Sequence, residues 1–322
     1  MLSSVEDILK KLKSHDWVER FIAAKTAGEQ KIKEAVPVLL ELLDDDNVQV
    51  RISVVIALKS FSGKKILEHL IRVLADPSEW VRVHAVETIG MYKDRKHIEL
   101  LSQFLENEES DKVRATLIKV LGELGGAKVL PIITLYLKDS NARVRANAVE
   151  AIERISGTTS VDMREHIIPL LDDENNRVKA NSVKALFKMG EAKAIEVLKN
   201  MIKSKDDWMR ASAAYVFGVI DYEDSVKHLI DILNDNCWFV IKNAIKSLVR
   251  KGDKIIPLLE KKLKDPQVSS TIKMNIVSVL GELATSECLK LLIPLLNDES
   301  GDLRQHAESV IDKIQEKKDN LL

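Results

Sequence analysis

Residues 206–218, DDWMRASAAYVFG, resemble residues 78–90, SEWVRVHAVETIG, although 128 positions separate the two stretches. Both contain an acidic residue, a tryptophan, an apolar residue and an arginine, followed by an apolar pattern of helical spacing that ends at glycine. The arginine position recurs along the chain with a core residue three positions later and an apolar residue seven positions later. Self-similarity at a fixed period indicates a repeat architecture. The stretch is therefore a repeated structural unit rather than one catalytic motif used twice.

Ten copies of this anchor position fill the chain, and successive copies are 31 to 34 residues apart. The anchors, which number the repeats one to ten, are Arg20, Arg51, Arg82, Arg114, Arg145, Lys179, Arg210, Ile241, Lys273 and Arg304. Repeats of this length bury their apolar faces against their neighbours. The unbroken register predicts a single domain that covers residues 1–322.

Each repeat contains the pattern of two helices. A first apolar run of helical spacing, such as EAVPVLLELL at 34–43, precedes a turn of Asp, Asn or Ser residues that can cap the next helix. The second run begins near the anchor, and no alternating strand pattern is present, so the chain is predicted to be all-α. We expect the second helix to end at a glycine eight or eleven to twelve positions after the anchor. These glycines are Gly28, Gly90, Gly122, Gly218 and Gly281, and Gly63, Gly157, Gly190 and Gly252.

The unit resembles HEAT repeats, in the short HEAT-like form first named in phycobilisome lyases. The turn aspartate, the anchor arginine and the prolines Pro37, Pro131 and Pro257 of the first helices carry the resemblance. It implies a right-handed α-solenoid, or superhelix, of about ten two-helix repeats, with the second helices lining a concave groove. We expect anchor arginines to pair with turn aspartates of neighbouring repeats, and Ile241 to interrupt that ladder at repeat eight.

The geometry of the family places positions −3, −2, +1, +2, +5 and +9 from each anchor in the groove. In repeats one to three the residues at these positions are largely apolar. In repeats five to eight the residues at these positions have a combined formal charge of +6, although the net charge of the whole chain is −1. The candidate partner-binding residues are Trp17, Phe21, Ile52, Ile56, Trp80, Val83, Arg143, Arg177, Lys184, Lys188, Trp208, Trp238, Phe239, Lys242, Lys246 and Arg250.

Three features of this face have two or more interpretations. All four tryptophans lie at −3 or −2, where they either fill a half-buried slot or anchor a partner. The basic residues form either a solvated face or a binding site. Val48, Ile52 and Ile56 are spaced by four and form one stripe. That stripe suits an apolar segment of a partner or a second copy of the chain, or it is ordinary core.

Motifs of catalysis, metal binding and membrane insertion are missing from the sequence. It has no Gly-rich phosphate loop, no nucleophile elbow and no Cys-x-x-Cys pair. It also lacks the His-Glu dipeptide with which the HEAT-like deoxyhypusine hydroxylases hold iron. We expect no catalytic residues, no metal, no cofactor and no membrane span. The two separate cysteines favour a cytoplasmic location.

The sequence therefore favours a non-enzymatic scaffold that holds a protein or peptide in its groove. One alternative is a nucleic-acid-binding protein, because repeats seven and eight mix aromatic and basic residues in a way similar to HEAT-like DNA glycosylases. Another is a lyase-type or chaperone-type subunit that acts on a protein partner. Binding to phosphates weakens steeply with salt, which separates the nucleic-acid interpretation from the others.

Overall fold

The computed structural model describes residues 4–159 and 161–319, and these residues form twenty α-helices and no strand. The helices form ten pairs, one for each predicted repeat. The pairs are Val5–Lys11 and Trp17–Glu29 (α1, α2), Val36–Glu41 and Val48–Leu58 (α3, α4), Lys64–Val73 and Glu79–Met91 (α5, α6), Ile98–Asn107 and Asp111–Leu124 (α7, α8), Leu130–Leu135 and Ala142–Ser156 (α9, α10), Arg164–Ile167 and Asn176–Lys188 (α11, α12), Lys193–Met201 and Asp207–Val219 (α13, α14), Ser225–Ile232 and Trp238–Lys251 (α15, α16), Ile256–Lys264 and Ser270–Leu283 (α17, α18), and Ser286–Leu292 and Gly301–Asp319 (α19, α20).

The chain is an all-α solenoid, as predicted, and it divides into two compact units, Met1–His166 and Ile167–Leu322. In the first unit the second helices α2, α4, α6, α8 and α10 pack successively against one another. In the second unit α12, α14, α16, α18 and α20 do the same. The core of each unit lies between its second helices and the first helices behind them. In α4, for example, Val50, Val54 and Leu58 share one face and are fully buried.

Polar residues in the turns start the second helices, as the sequence predicts. The side chain of Asn47 accepts a hydrogen bond from the backbone N–H of Gln49 at 2.8 Å, and Asp206 accepts one from Trp208 at 2.9 Å. Such caps satisfy N–H groups that have no partner within the helix. Side-chain caps of this kind begin α2, α4, α10, α12, α14 and α18, whereas Ser78 and Ser110, at the N-caps of α6 and α8, make no such hydrogen bond.

The anchor arginines form the expected ladder between repeats. The guanidinium of Arg20 donates two hydrogen bonds to the carboxylate of Asp45, at 2.6 and 2.9 Å, and another to the backbone oxygen of Ser14. The same pairing joins Arg51 to Asp76, Arg82 to Glu108, Arg114 to Asp139 and, in the second unit, Arg210 to Asp235. Ile241 has no hydrogen-bonding side chain, so the ladder is interrupted at repeat eight, as predicted.

Two of the ladder carboxylates, Asp45 and Asp235, have a pKa below the ordinary value of an aspartate. Burial by itself raises the pKa of Asp45, but hydrogen bonds from Arg20 and from the backbone N–H of Asn47 outweigh it, and the pKa lies below its ordinary value. Asp235 behaves in the same way, with Arg210 and the N–H of Cys237 as its donors. Each carboxylate thus closes its own turn and also binds the preceding repeat.

The prediction that glycines eight positions after the anchor end the second helices is wrong. Gly28, Gly90, Gly122, Gly218 and Gly281 all lie inside their helices. A Cβ atom on Gly122 would lie 2.5 Å from the Cβ and 2.9 Å from the Cα of Ala151 on α10. These glycines therefore allow successive second helices to approach closely. The later glycines Gly157 and Gly252 do occupy helix C-caps, as predicted, whereas Gly63 precedes α5.

Replacing Gly122 with alanine is expected to destabilise the protein by about 1–3 kcal/mol, because the added methyl group overpacks the contact with α10. Alanine is the better helix former by about 1 kcal/mol, so helix propensity alone predicts the opposite sign. The matched control is Gly157→Ala, whose Cβ would meet nothing closer than 3.5 Å. Urea denaturation of both variants measures the difference. A Gly122→Ala protein more stable than the parent would contradict the close approach.

Candidate partner-binding surface

The exposed face of the second helices is narrower than predicted. Positions −3, −2, +5 and +9 are generally accessible, but +1 and +2 mostly pack against neighbouring second helices. The hydroxyl of Ser53, at +2, donates to the backbone oxygen of Phe21 at 3.1 Å, and the amide of Asn147 donates to that of Ala115 at 2.8 Å. These bonds direct the side chains at +2 toward the preceding second helix. Positions −3, −2, +5 and +9 are called the second-helix face below.

Val83 does not lie on this face and is removed from the candidate residues. It occupies position +1 of α6 and is only 7% exposed. Phe21 and Ile52 also occupy +1 and are half-buried, so each offers only part of its side chain. Ile56, at +5, is 44% exposed and belongs to the face.

The tryptophans are all accessible. Trp17 is 42% exposed, Trp80 48%, Trp208 65% and Trp238 71%. None of the four is buried, but Trp17 and Trp80 are slightly less than half exposed, which also fits a half-buried slot at the start of the helix, whereas Trp208 and Trp238 are more than half exposed.

The first unit exposes apolar side chains on three successive second helices. Val18 and Ile22 accompany Trp17 on α2, and Met91 accompanies Trp80 on α6. The ring of Trp80 is partly covered within the chain, because the Lys112 ammonium lies 4.5 Å from its centroid. The candidate residues omitted Val18, Ile22 and Met91, although each occupies a position of the predicted groove.

Basic side chains of the first unit are largely neutralised by acidic neighbours. Lys59 pairs with Glu87 at 2.7 Å, Lys112 pairs with Glu79, and Arg154 lies 3.5 Å from Glu123. Each pair bridges two adjacent second helices. Arg143 is exposed on α10. This part of the face therefore has little net attraction for an acidic ligand.

Three further basic candidates lie on α12 in the second unit. Arg177 and Lys188 are exposed and Lys184 is half-buried. Each of them already takes part in interactions within the chain. They are accessible basic groups whose positions are constrained by the chain itself.

Aromatic and basic side chains meet on α14 and α16. The Trp208 ring lies 4.6 Å from that of Phe239, and the Trp238 ring meets Phe239 edge-on at 6.0 Å. The Lys242 ammonium lies 5.7 Å from the Trp238 ring, and the Arg250 guanidinium lies 5.4 Å from the ring of Tyr215, which is exposed. Tyr215, at +5, was not among the candidate residues. The aromatic–basic cluster is Trp208, Tyr215, Trp238, Phe239, Lys242, Lys246 and Arg250.

The cations of this cluster lack acidic partners. In the part of the chain whose side chains are described, no carboxylate lies within ion-pair distance of Lys242, Lys246 or Arg250. The nearby Asp207 is bound to Arg210 of its own helix at 2.6 Å. The cluster therefore carries uncompensated positive charge next to exposed aromatic rings.

Residues 4–159 and 161–319 contain no group of three His, Cys, Asp or Glu side chains that could hold a metal ion. The cysteines in them, Cys237 and Cys288, are free. No helix described in these ranges is long and apolar enough to cross a bilayer.

Comparison with known families covers almost the whole chain. The family model described as HEAT repeats matches residues 5–76, 67–153, 131–218, 164–248 and 226–312. The chain belongs to the HEAT-repeat family. This agrees with the repeat register, the helix pairs and the arginine ladder.

Individual relatives are distant. Protein YibA of Escherichia coli (strain K12) is 26% identical over 125 residues, 38% of this chain and 44% of YibA. Phycocyanobilin lyase subunit alpha of Nostoc sp. is 26% identical over 165 residues, 45% of this chain and 60% of the subunit. The chain thus spans about half the length of these curated relatives. Deoxyhypusine hydroxylase of Candida albicans is 23% identical over 262 residues, 80% of this chain and 81% of the enzyme.

Solved structures support the fold. The crystal structure of YibA is 22% identical, with a TM-score of 0.53 over 77% of this chain and 93% of YibA. Kap95p, solved in a complex with RanGDP, is 14% identical, with a TM-score of 0.57 over 97% of this chain and 50% of Kap95p. At such low identity the likeness establishes the solenoid architecture alone.

Proposed function

We propose that this HEAT-repeat protein is a non-enzymatic scaffold that binds a protein or peptide on its second-helix face. The observation that carries the proposal is the exposure of all four tryptophans on that face. Tryptophan is enriched among the residues that dominate binding energy at protein interfaces, and exposed apolar side chains in groups mark interaction surfaces. A scaffold role needs no catalytic group, which suits a chain without the motifs of catalysis.

Relatives support a role in protein assembly. Kap95p has the same architecture and binds a protein, RanGDP, and the Nostoc relative is a subunit of a lyase. The deoxyhypusine hydroxylase relative is an enzyme, but the His-Glu dipeptide attributed to that family above does not occur in this chain. The free cysteines suit a reducing, cytoplasmic setting.

Nucleic acid is the second candidate partner, because the aromatic–basic cluster combines stacking rings with cations, as single-strand-binding surfaces do. Its affinity would fall steeply with salt. The net charge of −1 and the pI near 6.7 favour a protein partner, because a polyanion binder generally has a basic domain.

Affinity capture with matched variants tests the proposal. The test variant is Trp208→Ala with Trp238→Ala, and the control is Leu135→Ala, whose side chain is 70% exposed on the first helix α9. We expect a partner protein that the parent and the control both enrich, with or without nuclease, and that the double variant loses at least about tenfold. Equal capture by all three proteins, or capture that nuclease abolishes, would contradict the proposal.

A further inference from the structure

We propose that the aromatic–basic cluster on α14 and α16 binds an acidic peptide segment, with one large apolar side chain followed by regularly spaced carboxylates. This inference rests on the proposed scaffold function and specifies the chemistry of the partner. Four observations support it: the irregular sequence of repeat eight, the spacing of its cations, their lack of acidic neighbours, and the exposed rings beside them.

Repeat eight departs from the structural pattern of the other repeats. Ile241 occupies the position where most other repeats have the basic ladder residue, and Cys237 occupies the helix N-cap. Elsewhere that cap position is Asp, Asn or Ser. Natural proteins tend to depart from the residues that best stabilise a local structure at functional sites, where binding or catalysis requires other residues. The residues that follow in α16 are the exposed aromatic and basic ones.

The cations of α16 form a regular row. Trp238, Lys242, Lys246 and Arg250 are spaced by four residues and share one side of the helix. With a rise of about 1.5 Å per residue, successive cations are about 6 Å apart along the helix axis. Carboxylates on alternate residues of an extended peptide are about 6.6 Å apart, and those at every fourth residue of a helix about 6 Å. Either form of an acidic segment can pair with the row.

Charge complementarity selects an acidic occupant. Lys59 and Lys112 in the first unit have carboxylate partners on neighbouring helices, whereas Lys242, Lys246 and Arg250 have none in the part of the chain whose side chains are described. The neighbouring helix α18 presents Ser270, Thr271 and Ser278 at positions −3, −2 and +5, and the exposed Glu282 at position +9. Glu282 is not within ion-pair distance of the three cations, so an acidic ligand would meet cations that no carboxylate among the described side chains already binds.

The aromatic rings supply an apolar anchor and also hold two of the cations. Trp208 and Trp238 flank Phe239 and are both more than half exposed, so a large apolar side chain of the ligand can pack between them. The rings of Trp238 and Tyr215 hold Lys242 and Arg250 by cation–π contact. Restricting these long side chains beforehand reduces the entropy lost on binding.

The length and charge of the cluster favour a peptide over a nucleic acid. The row from Lys242 to Arg250 spans about 12 Å, enough for three carboxylates at either peptide spacing. The chain as a whole has a net charge of −1, so no extended positive field guides a polyanion along it. A short acidic peptide segment, by contrast, can bind through the three cations of this row alone.

Two labelled synthetic peptides test the inference by fluorescence anisotropy. One carries a phenylalanine followed by three glutamates on alternate residues, and the other carries the glutamates at every fourth residue of a helical sequence. Control ligands replace each glutamate with glutamine, and a (dT)20 oligonucleotide represents nucleic acid. The test protein is Lys242→Glu with Lys246→Glu. The matched control, Lys254→Glu with Lys261→Glu, makes the same charge change at exposed sites on or beside the first helix of the next repeat.

We expect at least one acidic peptide to bind the parent at 150 mM salt, and its glutamine counterpart to bind at least about tenfold more weakly. The test variant should lose at least about tenfold in affinity, because reversal removes two attractions and adds two repulsions, while the control stays within about twofold. Circular dichroism melts confirm that both variants are folded.

The inference is overturned if neither peptide binds, if both variants behave alike, or if (dT)20 binds more tightly than the peptides at that salt. Its failure is distinguishable from failure of the scaffold function. A partner protein whose capture depends on Trp208 and Trp238 would uphold the scaffold even if both acidic peptides fail to bind.

Discussion

Replacing Val54 with aspartate is expected to lower the free energy of unfolding by more than about 4 kcal/mol, whereas Ile56→Asp should leave it nearly unchanged. Val54 is completely buried in α4, so the new carboxylate would be an unpaired charge in the core. Ile56 lies two residues further along the same helix and is 44% exposed, so an aspartate carboxylate at this position would remain hydrated. Ile52→Asp should fall between the two, because Ile52 is half-buried.

Thermal and urea denaturation of the three variants measure this order. If Val54→Asp does not fold at all, Val54→Thr provides a milder test, since it buries only a hydroxyl group and should cost roughly 1–3 kcal/mol. A loss at Ile56 as large as that at Val54 would show that α4 presents a different side to solvent. The apolar residues of the first unit would then be core rather than a binding surface.

Arg210→Met is expected to destabilise the second unit by about 3–5 kcal/mol, because it leaves the carboxylate of Asp235 buried without its counter-charge. The Arg210 side chain is only 15% exposed and that of Asp235 11%, so solvent replaces little of the lost interaction. The change also removes the bonds that Arg210 donates to the backbone oxygens of Ser204 and Lys205.

Arg304→Met is the matched control at the same position of the last repeat. Arg304 is exposed and donates to the backbone oxygens of Asp298 and Glu299 rather than to a carboxylate. Its loss should cost less than about 1 kcal/mol. Adding Asp235→Leu to Arg210→Met should recover part of the stability, because the unpaired charge is then gone. Equal losses at Arg210 and Arg304 would contradict the ladder as a source of stability.

The architecture could be predicted because it depends on features that recur every 31 to 34 residues. The anchor arginine, the turn aspartate and the cap each act through neighbours at nearly constant sequence distance, so the repeat itself reveals the pairing of Arg20 with Asp45. The role of Gly122 could not be predicted in the same way. A glycine near the end of a helix is compatible with two roles: it can end the helix, or it can let a neighbouring helix approach closely. Only the distance between the two helices in the folded structure shows which role applies.

The accessible side chains of the second helices were harder to predict, because a rotation of one residue about a helix changes which side chains are accessible. Val83 and Trp80 lie on the same turn of α6, yet one is buried and the other exposed. The pairing of basic with acidic side chains also could not be predicted from the sequence. Lys59 and Glu87, for example, belong to adjacent second helices, and only the packing of those helices brings the two side chains together. The aromatic and basic residues of repeat eight were predictable, but their lack of acidic partners was not.

Intrinsic tryptophan fluorescence tests the central claim most directly, because every tryptophan of the chain lies on the second-helix face. The free protein should emit at long wavelength and be readily quenched by acrylamide, as expected for rings in water. At saturation with the captured partner, we expect the emission to shift to shorter wavelength and the quenching to fall, with most of the change lost in Trp208→Phe with Trp238→Phe. Unchanged emission and quenching in a complex that sedimentation shows to be fully formed would place the partner elsewhere and contradict the claim.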